Sequence, residues 1–414
     1  MLLTDIDLAS HDFYVDEVPH WAFRLLREKD PVHWQPESPP NHGFWAVMKH
    51  DDVDTVLNDP STFSSQRAGV ILEEMAPDEL QARRSMMELD PPRHTRMRKI
   101  VSPLFTPRAV REYEGYCRDL ARQILDRALE RQEFDFVEEI SAQLPIRVLA
   151  RILGVPDDDT DQLIAWGDRM IGNADPEYTD AVVDKVDTSA YRLLPFRSPA
   201  AAELTAYGHR MAELREADPH NDLVSKLVLA EVEGERLTKV QFDNFFSLLV
   251  VAGNETTRHS ITHGMLALIE HPEEMERLAS DLSLMPTAVE EILRWGSVTM
   301  QFRRTATRNT ELRDVRISEG DKVVVYFISA GFDEEVFMDP YRFDITRNPN
   351  PHMAFGSGGP HFCLGAPLAR MEIRVMFEEL LPRLKRVELA GPISRLRSNF
   401  INGIKHMPVR VECT

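Results

Sequence analysis

The chain has 414 residues, of which 43% are hydrophobic, and its formal net charge at pH 7 is −20. This length and composition allow a large buried core, and the negative charge disfavours nucleic-acid binding, which needs a basic surface. The three cysteines are too widely separated in sequence for a small disulfide framework, and they suit a reducing cytoplasm.

The sequence also carries no pattern typical of membrane attachment or export. No stretch is apolar over the length needed to cross a bilayer. Residues 1–7 lack the basic segment and the long apolar run of a signal peptide. We therefore expect neither a signal peptide nor a membrane anchor, and a cytoplasmic location.

Helical periodicity dominates the chain, and strand patterns are few and short. A capping-box pattern at Thr238 and Gln241 marks the start of the longest helix. The stretch 172–198 has no clear periodicity and is predicted to be a mobile lid region rather than a linker. In chain order, the patterns predict a strand at 43–48, helices at 108–132, 143–153, 159–171, 199–216 and 238–270, a strand at 322–327, a helix at 366–381 and a strand at 407–413. These elements predict a single domain over residues 1–414, mainly α with a small β region.

A glycine-rich loop with the sequence FGSGGPHFCLG, residues 355–365, presents one thiol just before a predicted amphipathic helix. The helix dipole and the unpaired amides at the helix N-terminus favour the thiolate form of Cys363. The glycines let the backbone pass close to a flat group and bring amides toward the sulfur. A single thiolate held by amides beside a planar group is what an axial haem ligand needs.

Three other interpretations of Cys363 stay open on these residues alone. A lone cysteine is most often a small, buried, apolar residue. A zinc site would need several cysteine or histidine ligands at close spacing, and near Cys363 there is only His361. A catalytic cysteine would need a histidine base, which the sequence neither identifies nor excludes.

Together with three other segments, the loop resembles the haem-binding region of the cytochrome P450 family, the haem-thiolate monooxygenases. The other segments follow in the family's order, as HTRMR at 94–98, AGNETT at 252–257 and the E-x-x-R pair Glu291–Arg294. The resemblance covers essentially the whole chain. It implies the family's fold and a haem b whose iron is bound by the Cys363 thiolate.

The resemblance also implies structural and cofactor-binding roles for individual residues. Arg342 is expected to be the third partner of Glu291 and Arg294 in a buried network. The haem propionates are expected to be bound by His94, Arg98, Arg304 and His361, with Arg303 as an alternative to Arg304. Arginine suits this role because its planar fork matches a carboxylate.

The Cys363 loop departs from the common family pattern at one position. Phe355 lies eight residues before Cys363, where the pattern has seven, while Gly359 and His361 still match. The loop therefore has one extra residue upstream. A subset of bacterial members that oxidise steroid side chains and methyl-branched lipids is similar in this respect, and Phe355 is still expected to lie against the haem.

The segment 252–257 lies in the longest predicted helix and carries an acid followed by a hydroxyl. The small residues Ala252 and Gly253 leave a dent in one helix face, and a glycine inside a helix needs a packing or functional reason. Thr256 can donate to the carbonyl one turn earlier, which opens the helix locally. Glu255 can relay protons from solvent, and cleavage of the O–O bond needs two. Taken alone, Glu255 and Thr256 would be an ordinary surface acid and an ordinary helix threonine. If they lie beside a thiolate-bound haem, we expect both to be catalytic.

By family position, the substrate pocket should be lined by the loop 66–89, the longest helix, the segment 298–302 and the turn at 400–401. The predicted lining is apolar and comprises Val70, Ile71, Met87, Val251, Ala252, Val298, Met300, Phe400 and Ile401. The cationic residues in these stretches are Arg67, Arg83 and Arg84, and the sequence does not show whether their side chains point into the pocket. An apolar lining favours an apolar substrate. We therefore expect hydroxylation of an unactivated C–H bond in a branched lipid, a terpenoid or a steroid side chain.

No flavin or iron–sulfur segment occurs in the chain, so the electrons must come from a partner. The resemblance implies O2 as the oxidant and a ferredoxin with its NAD(P)H-dependent reductase as the electron source. Four basic residues could form a surface that binds an acidic ferredoxin, namely Arg96, Lys99, Arg108 and Arg111. The same residues also fit an ordinary solvated helix face.

Three alternative functions stay open at this point. A peroxygenase would use hydrogen peroxide without a partner, and the Glu255–Thr256 pair argues against it because peroxide makes that pair superfluous. A non-catalytic haem ligand-binding or sensor protein is not supported by any appended regulatory segment. A haem-free thiol enzyme is the third alternative.

Overall fold

The computed structural model of the protein describes residues 2–39, 41–232 and 234–414. Helices predominate in these ranges, and the sheets are small, so the expected fold class, mainly α with a small β region, is confirmed. The helices are α1 (His20–Lys29), α2 (His50–Asn58), α3 (Pro77–Ala82), α4 (Arg93–Val101), α5 (Pro107–Arg111), α6 (Glu114–Ala128), α7 (Gln143–Leu153), α8 (Thr160–Ile171), α9 (Pro199–Ala217), α10 (Leu223–Val228), α11 (Lys239–Glu270), α12 (Pro272–Ser280), α13 (Met285–Gly296), α14 (Phe327–Ala330) and α15 (Ala366–Leu380).

The strands form one sheet of five strands and four smaller sheets among the described residues. In the largest sheet the order is β1-β2-β10-β7-β3, and a three-stranded sheet has the order β11-β14-β4. The strands are β1 (Val32–Gln35), β2 (Phe44–Val47), β3 (Phe63–Ser64), β4 (Glu133–Asp135), β5 (Glu231–Val232), β6 (Glu235–Arg236), β7 (Gln301–Ala306), β8 (Thr310–Leu312), β9 (Val315–Ile317), β10 (Lys322–Tyr326), β11 (Leu384–Leu389), β12 (Ser394–Arg395), β13 (Ile404–His406) and β14 (Pro408–Cys413).

Most predicted elements occur within a residue or two of their expected bounds. The exception is the long helix expected at 108–132, which is two helices, α5 and α6, separated at Glu112 and Tyr113. The amides of these two residues donate to carbonyls three residues earlier, as in a tight turn. Such a turn keeps both residues in a right-handed helical conformation and preserves the side-chain periodicity, so the sequence pattern does not reveal it.

Helix α11 spans 32 residues and runs through the core, where it packs against α7, α8, α13 and α15. It begins with the predicted capping box, in which the Thr238 hydroxyl accepts from the Gln241 amide and the Gln241 side chain accepts from the Thr238 amide. Most of its central residues are buried, whereas Leu248, Ala252 and Thr256 retain accessible surface. Their spacing of four places them on one face of the helix.

A buried ion pair on α13 holds the segment that leads to the Cys363 loop. Neither Glu291 nor Arg294 has accessible side-chain surface, and Arg294 Nη2 lies 2.7 Å from Glu291 Oε1. Arg294 Nη1 also donates to the carbonyls of Gly331 and Pro340, at 2.8 and 2.9 Å. Since both charges are buried, each depends on the other for its compensation.

The third partner of this ion pair is Arg347, and the expected role of Arg342 was wrong. Arg347 Nε donates to the two carboxylate oxygens of Glu291 at 3.2 and 3.1 Å. Arg342 has an exposed side chain and contributes only its backbone carbonyl, to Arg294 and Arg347. The segment has no regular periodicity there, so the sequence could not tell which arginine turns inward.

Within the described ranges, no helix is long and apolar enough to cross a membrane.

Candidate functional site

The Cys363 loop is built as a cradle of backbone amides at the start of α15. Burial is the largest influence on the Cys363 thiol and raises its pKa above the ordinary value. The amides of Gly365 and Ala366, which donate toward the sulfur, and the charge of Arg98 lower the pKa only in part. Helix α15 starts at Ala366, directly after this turn. A bound metal cation would add the positive charge that keeps a coordinating thiol deprotonated.

The extra residue upstream of Cys363 is accommodated by glycines. Gly356 and Gly358 have φ angles of 82° and 66°, in the left-handed region that favours glycine. The Phe355 carbonyl still accepts from the Cys363 amide at 2.9 Å, so this residue stays directly beside the cysteine. Its ring is half-buried beneath the guanidinium of Arg370, which is 4.7 Å from the ring centroid.

Four cationic or imidazole side chains gather next to this loop, as the propionate prediction requires. The rings of His94 and His361 lie 4.1 Å apart, and His94 Nδ1 is buried without a hydrogen-bond partner among the residues that the structure describes. Burial lowers the pKa of His94 to about 4 and that of Arg304 to about 10, and it also lowers the pKa of Arg98. A pair of carboxylates would relieve this crowding of positive charge and supply the missing partner, so these residues fit haem propionates.

The geometry of strand β7 shows which of its two neighbouring arginines, Arg303 or Arg304, faces this cluster. Arg303 Nη1 reaches the Glu74 carboxylate at 3.2 Å, whereas Arg304 forms no ion pair with a carboxylate of the described residues, and its charge acts on His361. Successive strand residues point to opposite faces of a sheet, so only one of them can face the cluster. Arg304 is the one that does.

On α11, the local geometry that the sequence predicts around Thr256 is present. Thr256 Oγ1 donates to the Ala252 carbonyl at 2.9 Å, the bond one turn earlier that the sequence predicted. Leu248 extends the same face, and its spacing of two turns before Thr256 was a signal that sequence reasoning missed. Gly253 is on another side of the helix, where an added Cβ would come within 3.1 Å of Leu149 on α7. Its role is therefore close helix packing, whereas Ala252 forms the dent.

The carboxylate of Glu255 is buried and held by ion pairs rather than facing solvent directly. Arg258 Nη2 lies 2.5 Å from its Oε2, and Arg258 Nη1 lies 2.7 Å from Asp168 on α8. Asn254 donates to its other oxygen at 3.0 Å. Burial raises the pKa of Glu255, the Arg258 guanidinium lowers it, and the Asp168 charge raises it further.

These partners define the groups through which Glu255 could exchange protons. Arg258 was missed by sequence reasoning, although a spacing of three residues on a helix is a usable signal for an ion pair. Asp168 belongs to a different helix, so no local pattern could have indicated it.

Backbone hydrogen bonds bring the predicted pocket segments together. The Met300 amide donates to Phe400, the Asn402 amide to Val298 and the Arg303 amide to Val70, at 2.8–2.9 Å. Val70, Val251, Val298 and Ile401 are buried, Ile71, Met87 and Phe400 are half-buried, and Ala252 is exposed.

Met300 was wrongly expected at this pocket. It is buried in a separate core cluster with Phe23, Phe44 and Tyr326, beside α1. The alternation of side chains at the start of β7 turns it away from α11.

The stretch 172–198 contains two short turns of tight helix, Ser189–Tyr191 and Pro195–Arg197. Ion pairs tie it to other parts of the chain, among them Arg397 with Asp184 at 2.7 Å and Lys405 with Asp175 at 3.0 Å. Its expected mobility stays a prediction.

Comparison with known proteins identifies similar chains over nearly the full length. The sequence model of the family described as Cytochrome P450 matches residues 37–389. A methyl-branched lipid omega-hydroxylase of Mycobacterium tuberculosis is 41% identical over 98% of this chain and 95% of the relative. A steroid C26-monooxygenase of Mycolicibacterium smegmatis is 39% identical over 98% and 93%, respectively. The solved structure of a Mycobacterium marinum cytochrome P450 in complex with pseudoionone is 38% identical, with a TM-score of 0.89 and 98% of each chain covered.

Proposed function

The chain belongs to the cytochrome P450 family, and on that premise we propose that it hydroxylates an unactivated C–H bond of a hydrophobic small molecule. The oxidant is O2, and a ferredoxin with its NAD(P)H-dependent reductase supplies two electrons. The observation that carries this choice is the pairing of a hydroxyl bonded within its own helix, Thr256, with a buried, ion-paired acid, Glu255. A peroxide-driven enzyme has no need of such a pair.

The family's haem, when bound, supplies the site at which O2 is activated, and this chain's residues hold it in place. In the proposal the Cys363 thiolate would bind the haem iron, and the amides of Gly365 and Ala366 would stabilise its negative charge. The propionates would be bound by the four residues of the cationic cluster, which are His94, Arg98, Arg304 and His361. Phe355, whose carbonyl accepts from the Cys363 amide, would pack against the haem.

Glu255 and Thr256 deliver protons in this proposal. Because its pKa is raised, the Glu255 carboxyl can hold and release a proton near neutral pH. The Thr256 hydroxyl lies on the accessible face of α11, where it can orient a water molecule. The Arg258–Asp168 pair keeps the acid in place between transfers.

The substrate class in this proposal is a branched lipid, a terpenoid or a steroid side chain. The predicted lining is apolar, and a substrate without charge at its reacting end would be held by desolvation and oriented by shape. The names of the two similar enzymes, a lipid hydroxylase and a steroid monooxygenase, support the same class. Their alignments, which cover 98% of this chain, also support treating residues 1–414 as one catalytic domain, and its free cysteines support a cytoplasmic location.

Replacing Thr256 with alanine tests oxygen-driven against peroxide-driven turnover. We expect product formation with O2, NADH, ferredoxin and reductase to fall by about 10²-fold, since a positioned proton donor is worth that order of rate. NADH should still be consumed, and turnover with hydrogen peroxide should change little. Thr256→Ser keeps the hydroxyl and should retain most of the product. If the wild-type protein turns over only with peroxide, and Thr256→Ala leaves that rate unchanged, the peroxygenase is the better description.

The partner in this proposal is an acidic ferredoxin that approaches the exposed side of α4 and α5. Arg96, Lys99, Arg108 and Arg111 are all exposed there, which makes a basic surface on a chain of net charge −20. Complementary charge raises the rate of association, and the gain falls as salt rises.

Reversal of two of these charges tests the partner. We expect Lys99→Glu with Arg108→Glu to slow reduction by ferredoxin about tenfold or more at low salt, without changing substrate affinity. Stopped-flow reduction at several salt concentrations measures this. The matched control reverses Lys385 and Arg386 on β11, which are exposed at a different surface. Equal reduction rates for wild type and both variants at low salt would remove the basic surface from the proposal.

A further inference from the structure

A buried histidine, His259, lies beside the carboxylate of Glu255. It follows Glu255 by four residues on α11, so the two side chains share one face of the helix. Each has only 1% of its side-chain surface accessible, and His259 Nε2 lies 3.6 Å from Glu255 Oε2. The state of this ring nitrogen therefore bears directly on the acid that delivers protons in the proposed function.

The turn into β13 fixes the His259 ring and its tautomer. The Ile404 amide donates to His259 Nδ1 at 3.3 Å, so Nδ1 carries no proton, and a neutral imidazole then has its proton on Nε2. A Cβ added at Gly403 would come within 2.9 Å of Nε2, which shows how closely the backbone packs against the ring. Burial, followed by the charges of Arg258 and His263, lowers the pKa of His259 well below its ordinary value. The ring is thus a neutral donor and does not take up a proton itself at physiological pH.

The Nε2 proton of His259 has one acceptor within reach in the described part of the chain. Arg258 Nη2 lies 3.4 Å from Nε2, but a guanidinium has only donors and cannot accept. Glu255 Oε2, which Arg258 Nη2 also reaches at 2.5 Å, is the acceptor that remains. A separation of 3.6 Å is longer than a hydrogen bond, and contacts of catalytic groups are often long until the reacting complex forms.

The other groups that face Glu255 leave this role to His259. Arg258 Nη1 is held by Asp168 on α8 at 2.7 Å, so Arg258 keeps a carboxylate partner when it releases Glu255. Tyr178, in the stretch 172–198, lies within electrostatic range of all three charges. Asn254 donates to the other oxygen of Glu255, Oε1, at 3.0 Å. His259 is therefore the second donor to Oε2.

We infer that His259 is a positioning residue for proton delivery, whose Nε2–H holds the Glu255 carboxylate when the ion pair with Arg258 opens. This inference rests on the proposed function, in which Glu255 gives up a proton and takes one back from solvent. A donor to the charged form of an acid favours that form, so loss of the His259 donor should raise the pKa of Glu255 further. A proton donor works below its pKa, so product formation falls as the pH rises through that value. Without the His259 donor, this fall should move to higher pH.

Two substitutions separate the two nitrogens of the ring. His259→Asn places an oxygen near the position of Nδ1, where it can accept from the Ile404 amide, but has no donor near the position of Nε2. His259→Gln can place its NH2 group there. With O2, NADH, ferredoxin and reductase, we expect the pH of half-maximal product formation to rise by about half a unit to one unit in His259→Asn. In His259→Gln it should stay near the wild-type value.

The matched control is His263→Asn, which removes another buried imidazole of α11. His263 Nε2 contacts the Asn402 carbonyl at 2.9 Å, and the substitution should leave the pH midpoint unchanged. Its urea unfolding curve, beside those of the His259 variants, shows how much stability the loss of a buried ring costs on this helix.

An infrared titration of the haem-loaded protein measures the same proton affinity without turnover. The C=O band of the protonated Glu255 carboxyl is identified by its loss in Glu255→Gln, and its midpoint should rise in His259→Asn and be restored in His259→Gln. Equal midpoints in wild type and His259→Asn overturn the inference. A rise that His259→Gln does not reverse also overturns it, because the bulk of the ring rather than its donor would then matter. A wild-type protein that forms no product with O2 fails the proposed function, whereas the infrared midpoints still decide whether His259 acts on Glu255.

Discussion

Replacing Cys363 with alanine is expected to abolish the strongly red-shifted Soret band that the reduced, carbon monoxide-treated wild-type protein should give. The shift depends on a thiolate ligand to the haem iron, and the Cys363 sulfur, which accepts from the Gly365 and Ala366 amides, would be that ligand. Alanine removes the ligand but keeps the loop, so monooxygenase turnover should fall below detection. The absorption spectrum of the purified variant, beside wild type, measures this.

The chain offers a cysteine control for this experiment. Cys413 is exposed at the end of β14, far in sequence from the loop, and Cys413→Ala should leave the spectrum unchanged. Haem content should be measured in each protein, since loss of the ligand also weakens retention of the cofactor. A red-shifted band that persists without Cys363 would refute the ligand assignment and reopen the question of another axial residue.

Replacing Arg294 with leucine is expected to destabilise the protein by about 3–5 kcal/mol, because the buried Glu291 carboxylate loses its main partner and keeps only the Arg347 contact to compensate its charge. Glu291 would lose two hydrogen bonds to Arg294, at 2.8 and 2.7 Å, and the carbonyls of Gly331 and Pro340 would lose their donor. The loss would loosen the segment that leads to the Cys363 loop. Urea unfolding, with the free energy extrapolated to water, measures the effect.

Two neighbouring arginines distinguish the observed network from the predicted one. Arg347→Gln removes a contact to both oxygens of Glu291 and should destabilise by about 1–3 kcal/mol, as for other hydrogen bonds to charged groups. Arg342→Gln alters an exposed side chain and should stay within about 0.5 kcal/mol of wild type. The reverse order of the two effects would contradict the network described for Arg347.

Local geometry explains why the sequence identified part of the site so well. Glu291 and Arg294 are three residues apart on a helix, and Thr238 and Gln241 form a capping box, so each pair was predictable from helical spacing alone. The bond from Thr256 to the carbonyl four residues earlier follows from the same geometry. All three depend only on neighbours within one turn.

The sequence by itself determined the helical fold class and the helix bounds around the candidate site, because these follow from short-range periodicity. Motif spacing predicted its cysteine, acid and hydroxyl. Only the tertiary structure decided that Arg347 rather than Arg342 meets Glu291, that Met300 belongs to another core and that Asp168 supports Arg258. In irregular segments and between elements, side-chain direction is set by packing against residues distant in sequence, and local pattern carries no information about it.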